Sequence, residues 1–291
     1  MANTNLLARR EARFGRLLIA PALVVILGLI LYPIIYNIYL SFFNVSLAGR
    51  NVFLGLSNYL DVLTDSEFWS SVLTTMLYVV LSTFGTTILG LIVAMVMNRA
   101  FPLRWLARSL ILLPYVAPVI SVVFAWQFFF DPVNGIFMHV MVEKLGWINQ
   151  RVNLISEPGN ALWVAILFNM WRNFPFSYLM ILSRLQGIDE NLYEAAEIDG
   201  ASAWQKFRFI TLAEIYFVVG ALILLRFIWN FNKFEEVYLL TGINVKTMPI
   251  YIYLKAFIGT MELGTASALA VVQFLILVGI ILVYVKRVLK W

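Results

Sequence analysis

Long apolar runs separated by short polar loops dominate the chain, and each run approaches the roughly 20 residues that a helix needs to cross a bilayer core. Six runs are predicted as membrane-spanning helices: residues 17–42, 71–97, 106–130, 161–182, 211–230 and 265–285. Pro114 and Pro118 interrupt the third. Proline removes a backbone donor, so a kink is expected there unless neighbours satisfy the freed carbonyl. Between the third and fourth runs lies a segment with Pro132, Gly135, Gly146, Pro158 and Gly159, in which residues 136–145 are predicted as a short interfacial helix.

Composition agrees with a chain built for lipid: 62% hydrophobic residues and only 13% charged. The chain has no cysteine, which excludes disulfides, thiolate metal sites and a cysteine nucleophile. A net charge of +5 raises nucleic acid as a partner, but the cations sit in short loops at helix ends. They cluster at Arg9, Arg10, Arg13 and Arg16, at Arg99, Arg104 and Arg108, and at Lys286, Arg287 and Lys290. The other set of loops is balanced or acidic, with Asp61, Asp65 and Glu67 against Arg50. The positive-inside rule then places both termini in the cytoplasm. The first run lacks a small-residue cleavage site and is expected to stay as an anchor. Residues 1–16 are read as a cytoplasmic N-terminus and 17–291 as one membrane domain, with no internal repeat.

The loop after the fourth run also falls on the cytoplasmic side, although it is acidic and only partly compensated by Lys206 and Arg208. Asp189 is a candidate N-cap for a helix over Glu190–Ile198, and Asp199-Gly200 a stop in which glycine takes the left-handed conformation. Ser202 and Gln205 form the capping box of a second helix over 203–210. Helix, tight turn and helix follow, flanked by the small residues Ala195, Ala196 and Ala201, with Trp204 and Phe207 on one face. These features suit either an ordinary helical loop or a docking element for a soluble protein.

The run Leu192-Tyr193-Glu194-Ala195-Ala196-Glu197-Ile198-Asp199-Gly200-Ala201, followed by Phe207, Ile210 and Leu212, resembles the EAA loop of binding-protein-dependent ABC importer permeases. More narrowly it is similar to the maltose-type (MalF-like) sugar permeases. Gly55-Leu56-Ser57-Asn58-Tyr59, Leu113-Pro114, Gln186-Gly187-Ile188 and Thr241-Gly242 fit the same pattern. The resemblance implies an all-α membrane protein of the type I ABC importer permease fold, with six transmembrane helices, N-in/C-in, and a cytoplasmic helix-turn-helix coupling loop at about 189–212. It implies that Glu194, Ala195, Ala196, Asp199, Gly200, Ala201 and Phe207 dock on an ATPase. It also implies a prokaryotic cell membrane, a second homologous permease, two ABC ATPase subunits and an extracellular or periplasmic solute-binding protein. One departure is Leu212-Ala213, where the family has Leu-Pro; alanine lets the helix run on. Because no glycine precedes a lysine, a Walker A loop is absent. No cofactor is expected in this chain, with ATP and magnesium bound by partner subunits, and no catalytic or metal-binding residue is assigned.

Charges within a span are costly and face cavities or partners. Asn169, Arg172, Asn173 and Phe176 share one helical stripe in the fourth run. Trp229, Asn232 and Lys233 end the fifth. The resemblance places sugar contacts on these two helices, which makes Asn169, Arg172, Asn173, Trp229, Asn232 and Lys233 the candidate substrate-binding residues. Two readings of Arg172 and Lys233 stay open: they select an anionic sugar, or Arg172 pairs with an acid of a partner subunit while Lys233 reaches the outer interface. Arg226 is expected to pair with another helix or chain, and lone His139 to be structural. Gly264 and Ala268 offer a small-residue face for internal packing or a subunit seam. Importers of other polar solutes are the near alternative. An ion-coupled secondary transporter is disfavoured by the absence of acids near the span centres, and a membrane enzyme by the absence of a catalytic motif.

Overall fold

A computed structural model describes residues 2–45 and 51–289, with side chains for 12–45 and 51–288. Arg50 and Lys290, and the side chains of Arg9 and Arg10, therefore lie outside the described residues. The fold is helical. Among the described residues, four helices are long and apolar enough to cross a membrane: Ala12–Leu40, Ser66–Asn98, Ala203–Phe231 and Leu263–Val288. A fifth forms if the bent pair Arg104–Val116 and Val119–Phe129, which turns by 93°, is taken as one span. The predicted run 161–182 lies within a 28-residue helix, Pro158–Leu185, that falls short on apolar character. Asn169, Arg172 and Asn173 at its centre are the cause.

The chain forms two compact units, residues 1–65 with 252–274 and residues 66–251 with 275–291. In the first, α1 (Ala2–Val25) continues through a widened π turn, Ile26–Leu31, into α2 (Tyr32–Leu40). The widened turn immediately precedes Pro33, whose ring would clash with the carbonyl one turn back in a regular helix. A two-residue antiparallel pair joins β1 (Phe43–Asn44) to β2 (Val52–Phe53), and α3 (Ser57–Thr64) follows. The G-L-S-N-Y segment is an anchor here. Gly55 takes φ +59°, and buried Asn58 donates to the carbonyls of Ser41 (2.8 Å) and Phe43 (3.0 Å). Tyr59 shares a 2.6 Å hydrogen bond with Ser41. Gly264 lies so close that a Cβ would sit 2.0 Å from the Phe43 carbonyl, so its small face serves internal packing.

The second unit is built on α4 (Ser66–Asn98), followed by α5 (Arg104–Val116), α6 (Val119–Phe129) and the short α7 (Ile136–Met138). A π turn over His139–Lys144 extends α7 across most of the predicted interfacial helix. Helices α8 (Pro158–Leu185), α9 (Glu190–Ile198), α10 (Ala203–Lys206), α11 (Leu212–Phe231) and α12 (Glu235–Thr241) complete it, with α13 (Met248–Phe257) and α14 (Leu263–Tyr284) linking the units. Helix α4 buries a stripe of small and hydroxylic side chains: Ser71, Thr75, Ser82, Thr86, Gly90 and Ala94. Small residues let helices approach closely where no hydrophobic force drives association. Several hydroxyls close on their own helix, as Thr75 does on the Ser71 carbonyl (2.6 Å) and Thr86 on the Ser82 carbonyl (2.7 Å).

A polar ladder ties α4, α8 and α11 together. Asn169, fully buried, donates to the Tyr78 hydroxyl (2.8 Å) and to Asn230 (3.2 Å), which in turn donates to Thr83 (3.1 Å). Arg226 donates to the Asn173 side chain (3.2 Å) and backbone carbonyl (2.5 Å), meeting the expectation of a partner on another helix. The α5–α6 break is braced separately. Pro118 has no N–H, so the Pro114 carbonyl loses its helical donor. Arg172 supplies one: its Nη1 donates to Pro114 and Ala117, both at 3.0 Å. Its Nε donates to buried Glu236 (3.2 Å), which also accepts from Lys233 (3.2 Å). Gln127 of α6 donates to the Leu239 and Leu240 carbonyls of α12, holding the far side of the bend.

Two stability outcomes follow. A Cβ on Gly90 would lie 2.6 Å from the Ser177 Cβ and 2.8 Å from the Tyr178 nitrogen, whereas one on Gly279 meets nothing within 4 Å. Gly90→Ala should therefore lower the melting temperature of the purified chain in detergent, by an overpacking cost of ~1–3 kcal/mol. Gly279→Ala should be neutral or stabilising, as alanine usually is in a helix; an equal response of the two would contradict the close α4–α8 crossing. Glu236→Gln should lower the melting temperature by stranding partly buried cations. Pairing it with Arg172→Gln should recover part of the loss, and an unchanged melting temperature in the single variant would contradict the brace.

Candidate functional site: a helix-turn-helix loop beside a polar-aromatic face

Helix α8 ends at Leu185, and Asp189 starts α9 by accepting the Asn191 N–H at 3.0 Å. Gly200, at φ +75°, ends α9 in the paired hydrogen bonds of a Schellman turn. The Ala201 N–H reaches the Ala196 carbonyl (2.8 Å) and the Gly200 N–H that of Glu197 (3.0 Å). The capping box is complete: Ser202 N–H to Gln205 Oε1 (2.7 Å) and Gln205 N–H to Ser202 Oγ (3.3 Å). The second helix differs from its predicted form. Instead of stopping near residue 210, α10 runs through a π turn, Phe207–Thr211, into α11, giving one 29-residue helix. Ala213 permits this continuity, since it neither removes a donor nor clashes.

Cross-links fix the angle between the two arms. Tyr193 and Thr211 share a 2.9 Å hydrogen bond, and Lys206 pairs with Glu197 at 3.1 Å. At the root, Arg184 of α8 pairs with the Glu214 carboxylate and donates to its backbone carbonyl (2.9 Å) on α11. Both arms are thus fastened to the helices that carry the polar ladder. The surface is unusual for a charged loop: Ile198 is 87%, Trp204 65% and Phe209 68% exposed. Glu194, Ala195, Asp199 and Gly200 are exposed beside them, and Ala196, Ala201 and Phe207 are half-buried. The Trp204 and Phe207 rings touch, with centroids 5.5 Å apart. Large apolar side chains displayed among charges mark an interaction surface. Ile198 and Phe209 were not singled out in the sequence, although Ile198 stands directly before the stop glycine, where a tight turn presents it.

The six candidate substrate residues separate into three groups. Asn169 and Asn173 lie inside the helix packing rather than on a face, spent on the α4–α8–α11 ladder. Arg172 and Lys233 converge on Glu236, an acid of this same chain. Lys233 is likewise drawn inward. Trp229 and Asn232 are exposed. Trp229 stands edge-on to Phe176 with centroids 5.3 Å apart, and Tyr115 adjoins Phe176 at 6.1 Å. The Arg226 guanidinium lies 4.8 Å from the Phe176 ring centre and 5.5 Å from that of Trp229, a cation–π backing that orients both rings. Tyr115, Trp229 and partly buried Phe176 form an aromatic face of the kind that stacks on a sugar ring. Glu236 lies outside every predicted span, and its only local signal is the i,i+3 spacing from Lys233.

His139 pairs with Glu143 at 2.7 Å, in keeping with a structural role. Glu143 also accepts from Arg151, a hydrogen bond that holds its carboxyl below the usual carboxylate range. Among the described residues, no group of three or more histidine or acidic side chains is placed to hold a metal ion.

A model of the family described as the binding-protein-dependent transport system inner membrane component matches residues 86–290. The chain is 43% identical over 282 residues to the inner membrane ABC transporter permease protein YcjO of Escherichia coli, covering 96% of each chain. It is 33% identical over 286 residues to the trehalose/maltose transport system permease protein MalF of Thermococcus litoralis, covering 97% of this chain and 96% of the relative. Its fold is that of a chain in the crystal structure of a bacterial alginate ABC transporter in complex with an alginate pentasaccharide-bound periplasmic protein. There the TM-score is 0.82 at 21% identity, covering 97% of this chain and 96% of the other. Family and fold thus meet in a type I ABC importer permease, a multi-pass transport subunit rather than an enzyme. This chain belongs to the family of binding-protein-dependent transport system inner membrane components.

Proposed function

We propose that this chain is one of two membrane subunits of an ATP-driven sugar importer in a prokaryotic cell membrane. The observation that carries the proposal is the loop from Asp189 to Leu212. It is a rigid, doubly capped helix-turn-helix that displays Ile198, Trp204 and Phe209 and is fastened to α8 and α11 through Arg184 and Glu214. Such a loop suits docking into a cleft of a nucleotide-binding subunit, with Glu194, Ala195, Ala196, Asp199, Gly200, Ala201 and Phe207 shaping the contact. ATP and magnesium belong to two such subunits, and a second homologous permease and an external solute-binding protein complete the importer.

Six spans are reached by adding α8 to the four long apolar helices and the broken α5–α6 pair. Helix α8 crosses because α4 and α11 cover its polar stripe. The cations at Arg13, Arg16, Arg99, Arg104, Arg108, Lys286 and Arg287 then favour cytoplasmic termini and a cytoplasmic coupling loop. Residues 1–16 form the cytoplasmic N-terminus of a permease domain over 17–291.

Sugar as the substrate draws support from relatives named for trehalose, maltose and alginate transport, and from the face of Tyr115, Phe176 and Trp229. Exposed Asn232 follows Trp229 by three residues, and Arg172 precedes Phe176 by four. Glu236 already engages both cations, so the triad carries one net positive charge, and ring stacking leads recognition of the sugar. Asn169 and Asn173 act one layer behind, by fixing the helices that bear the rings.

The test is purification of the full transporter from its own gene neighbourhood. Gly200→Val forces a β-branched residue into the left-handed region, a strain of ~1–2 kcal/mol, and Glu194→Lys reverses a charge on the docking surface. Together they should abolish co-purification of the ATPase and sugar uptake while the permease remains monodisperse in detergent. Retention of the ATPase with uptake unchanged would contradict the docking role.

A further inference from the structure

Arg99, Arg104 and Arg108 lie within ten residues around the start of α5, and among the described residues none of them forms an ion pair. Arg108 uses Nη2 to cap the Met97 carbonyl at the end of α4 (2.9 Å), while its Nε is buried without a hydrogen-bond partner among the described residues. Its guanidinium rims a cavity of about 320 Å³ between α5 and α8. The lining is graded along the helices. Arg108, Ser109, Ser183 and Gln186 stand toward the start of α5 and the end of α8, and Leu112 and Leu179 lie about one turn deeper. Trp105, 69% exposed, sits near the polar end, as aromatic residues do at a membrane interface.

A free anion needs only the polar rim, but here the cavity continues into an apolar slot. Uncompensated cations, hydroxyl and amide groups above, and leucines below, match the chemistry of one amphiphile. We infer that this cavity seats an anionic phospholipid, its phosphate on Arg108 with Ser109, Ser183 and Gln186, and its upper acyl chain against Leu112 and Leu179. Basic pockets between transmembrane helices on the cytoplasmic side are suited to such headgroups. The cytoplasmic position rests on the proposed orientation; the cavity and its grading do not. Gln186 is three residues before Asp189, so the lipid lies at the root of the coupling loop and braces α5 against α8.

Native mass spectrometry of the complete transporter in mild detergent tests this, with phosphatidylglycerol or phosphatidylcholine added as the probe. Phosphatidylglycerol should be retained in preference to phosphatidylcholine, and Arg108→Gln should lower its retention about fivefold, the effect of one interfacial cation. Ser183→Leu, which fills the cavity from the other helix, should lower retention as well, and provides a second route if Arg108→Gln does not fold. Arg13→Gln, remote in sequence from the cavity lining, should change nothing. Equal retention of the two lipids, or equal retention by wild type, Arg108→Gln and Ser183→Leu, would overturn the assignment. Displacement by inorganic phosphate alone would assign the cavity to a free anion and also overturn it. So would retention by the isolated chain but not by the complex, because a subunit would then fill the cavity. None of these outcomes depends on whether the coupling loop docks an ATPase.

Discussion

Backbone carbonyls cannot be left unpaired in an apolar medium, and the architecture around the α5–α6 bend follows from that constraint. Pro118 removes the donor that the Pro114 carbonyl would have met, and the chain turns by 93° there. Arg172 meets the freed carbonyls from α8, but a guanidinium at that depth needs a counter-charge, which Glu236 supplies from α12. Lys233 then shares the same carboxylate oxygen. One missing N–H thus recruits three charged side chains and fixes four helical elements. Two of those residues, Arg172 and Lys233, are the cations that the sequence offered as a binding site.

Continuity matters equally at the helix-turn-helix loop. Because Ala213 stands where the resembling permeases have proline, α10, its π turn and α11 form a single 29-residue helix, about 44 Å long at 1.5 Å per residue. A displacement at Trp204 can pass along that rod to Asn230 and Trp229 without a hinge. The Schellman turn and the capping box join this helix to α9, and the Arg184–Glu214 pair links it to α8. The ladder of Asn169, Asn230, Asn173 and Arg226 joins α8 to α11 where the aromatic face begins. Loop and face therefore sit at the two ends of α11, and α8 meets the face at Phe176.

Much of this was legible in the residues because local chemistry determines it. Asp189, Gly200, Ser202 and Gln205 act within three or four positions of themselves, and the structure gives each its expected hydrogen bonds. The stripe of Asn169, Arg172 and Asn173 was visible, but periodicity states only that residues share a face, not what covers it. Asn169 and Asn173 face α4 and α11, while Arg172 faces the bend. Ser71, Thr75, Ser82, Thr86 and Gly90 formed an equally regular stripe in α4, hidden because hydroxyl and small side chains barely alter an apolar run. The Arg172–Glu236 pair stayed invisible because its members are 64 residues apart, a distance no local pattern spans.

The absence of cysteine allows a direct test of docking. Ile198→Cys and Trp204→Cys can be labelled with a membrane-impermeant maleimide in inside-out vesicles holding either the permease pair alone or the pair assembled with its ATPase. Docking of the loop requires rapid labelling in the first preparation and strong protection of both positions in the second. Equal labelling rates in the two preparations would contradict it.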